Sequence, residues 1–222
     1  PAVWETIEKK ERPRELFGEF DVTVVVDRSG SMDEKDEDGS VKRVEQKKAA
    51  VLLLEALTEF SNDLEEVRKD LGYDLAVRTE AWSFGGQAEV GIVKPLGSEL
   101  TERQRVAVYK TLDTMPGAQT LDYLALEKLR DSIPEEDWEK IAEKKLRKIV
   151  IVLTDGASSD EPRLKKIVAE LRKRGVAIVG IGITKSGEAA KKAYAPDGQV
   201  CKKADRLAVT LADLLKDYLK DL

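Results

Sequence analysis

The stretch FDVTVVVDRSGSMDEKDEDGS, residues 20–40, joins a strongly apolar run to a polar and acidic one. The apolar run ends at Asp27, and two hydroxyl side chains, Ser29 and Ser31, follow at alternate positions. Valine-rich runs that are apolar on both faces are typical of central parallel strands covered on both sides. We therefore predict a buried strand whose carboxyl end presents one acid and two hydroxyls.

Two further runs, residues 149–153 and 176–183, are apolar on both faces in the same way. Helical patterns separate the three runs, the first of them between residues 43 and 71. Residues 73–96 have the pattern of two strands joined by a glycine pair, which favours a hairpin. The fold class predicted is α/β: a doubly wound, mostly parallel open sheet with helices on both faces and one antiparallel edge hairpin.

The two ends of the chain differ in character. Residues 1–18 are charged, contain Pro13 and lack a long apolar face, so we expect an arm or the tail of an upstream region. One domain is expected over residues 19–222. Because the chain begins at Pro1 with no initiator Met, we expect it to be part of a larger protein or complex.

The composition excludes several classes of function. None of the 222 residues is histidine, which rules out Ser-His-Asp and Cys-His mechanisms and histidine-ligated zinc. The net charge of -5, with both signs interspersed, gives no basic face for nucleic acid. No apolar run approaches the roughly 18 residues of a membrane span. Without histidine, metal chemistry must use oxygen ligands. A single cysteine suits a reducing compartment, so we expect a cytoplasmic protein.

Acidic residues follow two of the three buried runs at the edge where open parallel sheets bind ligands. Asp27 ends the first run, and Asp155 follows the second. A turn at residues 116–120 brings a further hydroxyl, that of Thr120, to the start of a helix. We therefore predict a single site formed by Asp27, Ser29, Ser31, Thr120 and Asp155.

Hydroxyl and carboxylate oxygens suit a hard divalent cation such as Mg²⁺ or Mn²⁺. Two acids do no more than balance the charge of such an ion, and three neutral hydroxyls add no negative charge. The ion would then attract one more oxygen anion, such as an Asp or Glu of a partner protein. This chemistry needs no nucleophile or base, so we expect a protein-binding module and not an enzyme.

The pattern Asp27-x-Ser29-x-Ser31, with the distant Thr120 and then Thr154-Asp155-Gly156, resembles the metal-ion-dependent adhesion site (MIDAS) of von Willebrand factor A (VWA) domains. The resemblance covers about residues 20–222 and implies a Rossmann-like fold. It also implies that the serines and the threonine are direct or near-direct ligands and that the acids often act through water. Family members usually have more glycines around the threonine than this chain has.

A looser similarity joins the chain to bacterial intracellular members of this family, such as the carboxyl-terminal domains of cobalt-chelatase-like proteins. That similarity implies an AAA+ ATPase as a partner. Two other functions stay open at this point. One is a metal-dependent phosphoryl-transfer or hydrolytic enzyme on a similar sheet, and the other is a scaffold whose metal site is vestigial.

The acidic stretch after the candidate site is a near match to a calcium-binding loop. The matching residues are Glu34, Asp36, Asp38, Gly39, Val41 and Glu45. Three features depart from the pattern: the first position is Glu rather than Asp, Lys42 occupies a position that usually helps to bind, and no helix precedes the loop. The sequence therefore favours either a Ca²⁺ site at Glu34–Glu45 or a solvated acidic loop ahead of the following helix.

Overall fold

The computed structural model of the protein describes residues 18–71 and 76–219. Residues 1–17 of the expected arm lie outside the described residues. The strands are β1 (Glu19–Asp27), β2 (Ala76–Phe84), β3 (Gly91–Gly97), β4 (Leu146–Thr154), β5 (Ala177–Ile183) and β6 (Gly198–Cys201). The helices are α1 (Lys42–Leu71), α2 (Glu102–Thr111), α3 (Asp122–Ser132), α4 (Glu135–Ala142), α5 (Glu161–Lys173), α6 (Glu188–Ala193) and α7 (Leu207–Leu219).

In the described part of the chain the strands form a six-stranded sheet in the order β3-β2-β1-β4-β5-β6. Neighbouring strands are parallel except for β2 and β3, which are antiparallel. The predicted doubly wound α/β fold, with one antiparallel strand at an edge, is therefore confirmed. The chain builds outward from β1 in one direction and then from β4 in the other. In such sheets, ligands bind beyond the carboxyl ends of the strands at this point of reversal.

The central strands are buried on both faces, as their continuous apolar runs predicted. Val24 and Ile151 belong to a core that includes apolar side chains of α1 and α7. Val25 and Val150 face the opposite way, into a core built with α3 and α5. Each fully buried side chain of this size contributes about 1.5–3 kcal/mol of transfer free energy. The ends of β1 and β4 are therefore held rigidly, which fixes the polar residues that follow them.

The two glycines of β5, Gly180 and Gly182, allow neighbouring elements to pack closely against this strand. A Cβ atom built on Gly180 would lie 2.3 Å from the ring of Tyr194, and one on Gly182 would lie 2.1 Å from the carbonyl oxygen of Gly187. The neighbouring edge strand carries Cys201, whose side chain is buried. Tyr194 and Gly187, which follow β5 in the chain, therefore pack directly against the backbone of this strand.

The long helix α1 has 30 residues and packs one apolar side against the sheet. Its segment 49–54 is apolar nearly all round, yet Leu52 is 57% exposed. Neither α1 nor any other helix in the described ranges has the length and hydropathy of a membrane span.

Candidate metal centre

The carboxylate of Asp27 is fully buried at the carboxyl end of β1. The backbone N–H of Ser29 donates to its Oδ1 at 2.7 Å, and the Thr154 hydroxyl donates to its Oδ2 at 2.6 Å. The side-chain amide of Gln46 donates to the Asp27 carbonyl oxygen at 2.7 Å. Burial raises the pKa of Asp27 from 3.8 to about 7, against the lowering effect of the hydrogen bonds from Thr154 and Ser29. Without a cation nearby, this carboxyl therefore keeps a proton up to about neutral pH.

A chain of hydrogen bonds joins the two serine hydroxyls to Asp155. Ser29 Oγ lies 3.1 Å from Ser31 Oγ, and Ser31 Oγ donates to Asp155 Oδ1 at 2.8 Å. Asp155 directly follows β4 and is 2% exposed. Four of the five predicted site residues, including Asp27, are therefore brought together at the carboxyl ends of β1 and β4.

Thr120 reaches the same edge of the sheet from the loop before α3. Its hydroxyl oxygen lies 3.7 Å from where a Cβ atom on Gly156 would be. The Thr120 N–H donates to Ser159 Oγ at 3.0 Å, and the Ser159 N–H donates to the Thr120 carbonyl oxygen at 2.9 Å. These two bonds tie the backbone of Thr120 to the loop that follows Asp155. Thr120 thus borders the site, while the hydrogen bonds within the cluster run through the other four residues.

Gly117 allows the Thr120 loop to approach the end of β1. The Gly30 N–H donates to the Gly117 carbonyl oxygen at 2.8 Å, and the Gln119 N–H donates to the Gly85 carbonyl oxygen at 3.1 Å. A Cβ atom on Gly117 would lie 1.7 Å from the Gly85 carbonyl oxygen, so no other residue fits. The segment before Thr120 is poor in glycine, yet it keeps the glycine that this contact requires.

Arg28, between Asp27 and Ser29, anchors the same loop from its other side. Its Nε and Nη2 donate to the carbonyl oxygen and the hydroxyl of Thr114 at 2.9 and 2.5 Å. Its Nη1 lies 3.4 Å from Ser83 Oγ at the end of β2. Alternate residues of this motif therefore have different roles. Ser29 and Ser31 belong to the site, and Arg28 holds the loops around it.

A buried hydrogen-bond network around Asp122 stabilises the start of α3, next to the Thr120 loop. Tyr194 OH donates to Asp122 Oδ2 at 2.8 Å, and Ser158 Oγ donates to Asp122 Oδ1 at 2.5 Å. Burial raises the pKa of Asp122, although the hydrogen bonds from Ser158 and Tyr194 oppose that shift. The network joins the start of α3 to α6 and to the loop after β4.

Lys42 is part of this site, although its position in the sequence matched the calcium-loop pattern. Its Nζ lies 2.7 Å from Asp155 Oδ2 and 3.2 Å from Glu34 Oε2. Burial lowers the pKa of Lys42, but the hydrogen bond and charge of Asp155 outweigh this and raise it above its usual value. A cation at the first residue of a helix is unfavourable beside the positive end of the helix dipole. Its presence there indicates that Lys42 has a specific acidic partner.

The donor atoms of the candidate centre fit a hard divalent cation. Two carboxylates and two serine hydroxyls form one connected group, a third hydroxyl borders it, and all the donors are oxygen. The ligand set named from the sequence is Asp27, Ser29, Ser31, Thr120 and Asp155.

The acidic loop does not support the predicted calcium site. Glu34 pairs with Lys42, and Asp36 Oδ2 accepts a 3.3 Å hydrogen bond from the Ala204 N–H. Asp38 Oδ1 accepts from the backbone of Ser40 at 2.9 Å. Within residues 18–71 and 76–219, no group of three or more acidic, histidine or cysteine side chains is arranged to hold a metal ion. The carboxylates serve separate partners, so the solvated-loop interpretation fits better.

Comparison with known protein families shows to which family the chain belongs. The family model described as von Willebrand factor type A domain matches residues 21–214. The chain belongs to this family. The resemblance inferred from the serine motif is therefore confirmed. No curated protein matches this VWA chain.

Solved structures share the fold of this VWA domain at low sequence identity. Proximal thread matrix protein 1 (PTMP1) from the mussel byssus aligns with a TM-score of 0.61 and 18% identity, over 90% of this chain and 46% of that one. A structure of PTMP1 with a zinc-occupied MIDAS motif aligns with a TM-score of 0.58 and 20% identity, over 90% and 45% of the two chains. Manganese-loaded TRAP protein of Plasmodium vivax aligns with a TM-score of 0.54 and 14% identity, over 87% and 72%. This VWA domain therefore spans about half the length of the mussel protein.

Proposed function

We propose that this VWA domain is a metal-dependent protein-binding module. It binds a divalent cation through the hydroxyls of Ser29, Ser31 and Thr120 together with the two acids Asp27 and Asp155. Through that cation it engages an acidic side chain of a partner protein. The observation that carries the proposal is the chain of contacts from Ser29 Oγ through Ser31 Oγ to Asp155 Oδ1, at 3.1 and 2.8 Å.

The chemistry of the donors favours Mg²⁺ or Mn²⁺ as the cation. Oxygen-only sites suit hard ions, and Mg²⁺ retains waters where few protein ligands are present. Structures of two VWA-fold neighbours are described as holding zinc in a MIDAS motif and as loaded with manganese. These descriptions support a divalent ion at the corresponding edge of this sheet.

The charge of the site favours an anionic partner group. Two acids at most balance a divalent ion, and the neutral hydroxyls add no negative charge. An Asp or Glu of a partner supplies one further oxygen ligand to the ion. An AAA+ ATPase as this partner and a cytoplasmic location stay predictions.

Burial of Asp27 argues against the alternative of an enzyme with a nucleophilic aspartate. Both of its carboxylate oxygens accept hydrogen bonds within the protein, and its side chain is fully buried. An acyl-phosphate intermediate would need one of these oxygens to be accessible. The binding function needs no such access, because the acids of a MIDAS-like site can act through water.

A capture experiment tests the proposal. The immobilised chain is incubated with cell extract in Mg²⁺ or in EDTA, and the Ser29→Ala/Ser31→Ala variant is compared with it. We expect a protein that the unaltered chain retains and Ser29→Ala/Ser31→Ala does not, only in Mg²⁺, and that free glutamate releases. A Ser98→Ala/Ser132→Ala variant, altered at two exposed positions outside the site, serves as control and should retain the same protein.

Two results would contradict the proposal. One is retention that is the same in Mg²⁺ and EDTA and the same for both serine variants. The other is phosphatase or ATPase turnover by the purified chain that is lost in Asp27→Ala, which would favour an enzyme.

A further inference from the structure

The ammonium group of Lys42 is built into the candidate metal centre. It lies 2.7 Å from Asp155 Oδ2, while the other oxygen of that carboxylate accepts the Ser31 hydroxyl at 2.8 Å. Lys42 is 5% exposed and Asp155 is 2% exposed. Its second partner, Glu34, has a side chain that is 70% exposed, so Asp155 is the buried counter-charge of this lysine.

The position of Lys42 is unfavourable for a cation unless it has a specific acidic partner. It is the first residue of α1, where the helix dipole presents its positive end. Lysine is almost never fully buried unless it is paired. One turn further along, the Gln46 side chain donates to the Asp27 carbonyl oxygen at 2.7 Å. The first two turns of α1 therefore bring both a positive charge and a side-chain amide to the site.

We propose that Lys42 is a built-in counter-cation that lowers the affinity of the site for its divalent ion. This inference rests on the proposed function, since it concerns the same ion. When Lys42 is paired with Asp155, one of the two acids is already neutralised by the protein. A divalent ion must then share Asp155 with the ammonium group, and the two positive charges repel each other at short range.

The same arrangement affects the charge of the loaded site. Two carboxylates, one ammonium group and one divalent ion sum to a net charge of about +1, whereas the sum without the lysine is zero. Lys42 therefore makes the loaded site more attractive to an anionic oxygen from outside. A site that holds its ion loosely and keeps a positive charge is suited to binding the ion and the partner's carboxylate together.

Calorimetric titration with Mn²⁺ tests the inference in the full chain. We expect Lys42→Gln to bind Mn²⁺ at least about 10-fold more tightly than the unaltered chain, because a like charge beside the ion is removed. Lys42→Arg, which keeps the charge, should bind much as the unaltered chain does.

Lys47 offers a matched control on the same helix. It is 6% exposed, its Nζ lies 2.5 Å from Asp113 Oδ1 and 3.9 Å from the centre of the Tyr109 ring, and it makes no contact with the site in the described structure. Lys47→Gln should leave the Mn²⁺ affinity unchanged.

The outcomes separate this inference from the proposed function. Unchanged or weaker Mn²⁺ binding by Lys42→Gln overturns the inference, even if Ser29→Ala/Ser31→Ala abolishes binding and so supports the proposed function. Mn²⁺ binding that survives Ser29→Ala/Ser31→Ala contradicts the proposed function and the inference together. If Lys42→Gln is unfolded without metal, folding on addition of Mn²⁺ supports the inference, and failure to fold at any Mn²⁺ concentration contradicts it.

Discussion

The hydroxyl of Thr154, the last residue of β4, donates a 2.6 Å hydrogen bond to Oδ2 of Asp27, the last residue of β1. The two strands are neighbours in the sheet, so this bond joins their carboxyl ends at the point where the order of the strands reverses. It leaves the carboxylate of Asp27 fixed and fully bonded before any ligand arrives.

Replacing Thr154 by Val should destabilise the metal-free protein. The buried carboxylate of Asp27 loses its side-chain donor, and the free energy of unfolding should fall by about 1–3 kcal/mol. Urea unfolding at about pH 8, where Asp27 is ionised, measures this loss. Thr154→Ser keeps the hydroxyl and should recover most of the stability. An unaltered urea midpoint for Thr154→Val would show that the bond contributes nothing.

Replacing Gly117 by Ala should disturb both stability and metal binding. The added methyl group would collide with the Gly85 carbonyl oxygen, because its Cβ would lie 1.7 Å away. Overpacking of this kind costs about 1–3 kcal/mol, and the displaced loop carries Thr120 away from the site. Urea unfolding and Mn²⁺ titration check the two effects.

Gly91 provides the control for Gly117. A Cβ atom on Gly91 meets no atom within 4 Å, so Gly91→Ala should change the free energy of unfolding by no more than about 0.5 kcal/mol. Equal behaviour of the two alanine variants would mean that the contact between Gly117 and Gly85 is not needed.

Replacing Tyr194 by Phe should weaken the support under the Thr120 loop. The variant keeps the ring against Gly180 but removes the 2.8 Å hydrogen bond to Asp122. A buried acceptor that loses its donor costs about 1–3 kcal/mol. Tyr109→Phe, at a position that is 53% exposed, should have almost no effect on urea unfolding. Similar midpoints for both variants would contradict this role of Tyr194.

Buried Lys94 should give the protein a distinctive response to alkaline pH. Its Nζ donates to three carbonyl oxygens, those of Thr79, Pro95 and Gly97, at 2.8, 3.2 and 3.2 Å. Burial lowers the pKa of Lys94 from 10.5 to about 8, although Glu80 partly offsets this. Between these two pH values the unfolded chain binds a proton that the folded chain has released, so this group makes stability rise with pH.

Comparison with Lys94→Met isolates that contribution. The free energy of unfolding of the unaltered chain, minus that of the variant, should be constant below about pH 8 and increase up to about pH 10.5. Urea unfolding across this range measures the difference. A difference that stays flat or decreases as the pH rises would show that Lys94 is charged normally in the folded protein.

The parts of this structure that could be predicted from sequence are those governed by local pattern. Apolar runs on both faces identified β1, β4 and β5 because strands that are buried on both sides carry mostly apolar side chains. The polar residues that follow two of those runs gave the candidate site, since strand ends meet at one edge of a parallel sheet. Asp27 and Asp155 were therefore accessible to reasoning from the sequence.

The contacts that complete the site depend on segments far apart in the chain. Lys42 and Asp155 are 113 positions apart, and Asp27 and Thr154 are 127 positions apart. Neither spacing leaves a local signature. In the sequence, Lys42 matches a position of the calcium-loop pattern instead. In the folded chain, the acids of that loop bond to separate partners. The sequence likewise shows that Gly117 lies near Thr120, but it does not show that Gly117 contacts the loop of Gly85.

Anomalous diffraction from a crystal of the chain soaked in Mn²⁺ would locate the bound ion. We predict one strong manganese peak beside Ser29 Oγ and Ser31 Oγ, bordered by Thr120 and Asp155. Crystals of Ser29→Ala/Ser31→Ala should lack that peak. A peak at the acidic loop around Asp36 and Asp38, or none at the ends of β1 and β4, would contradict the account.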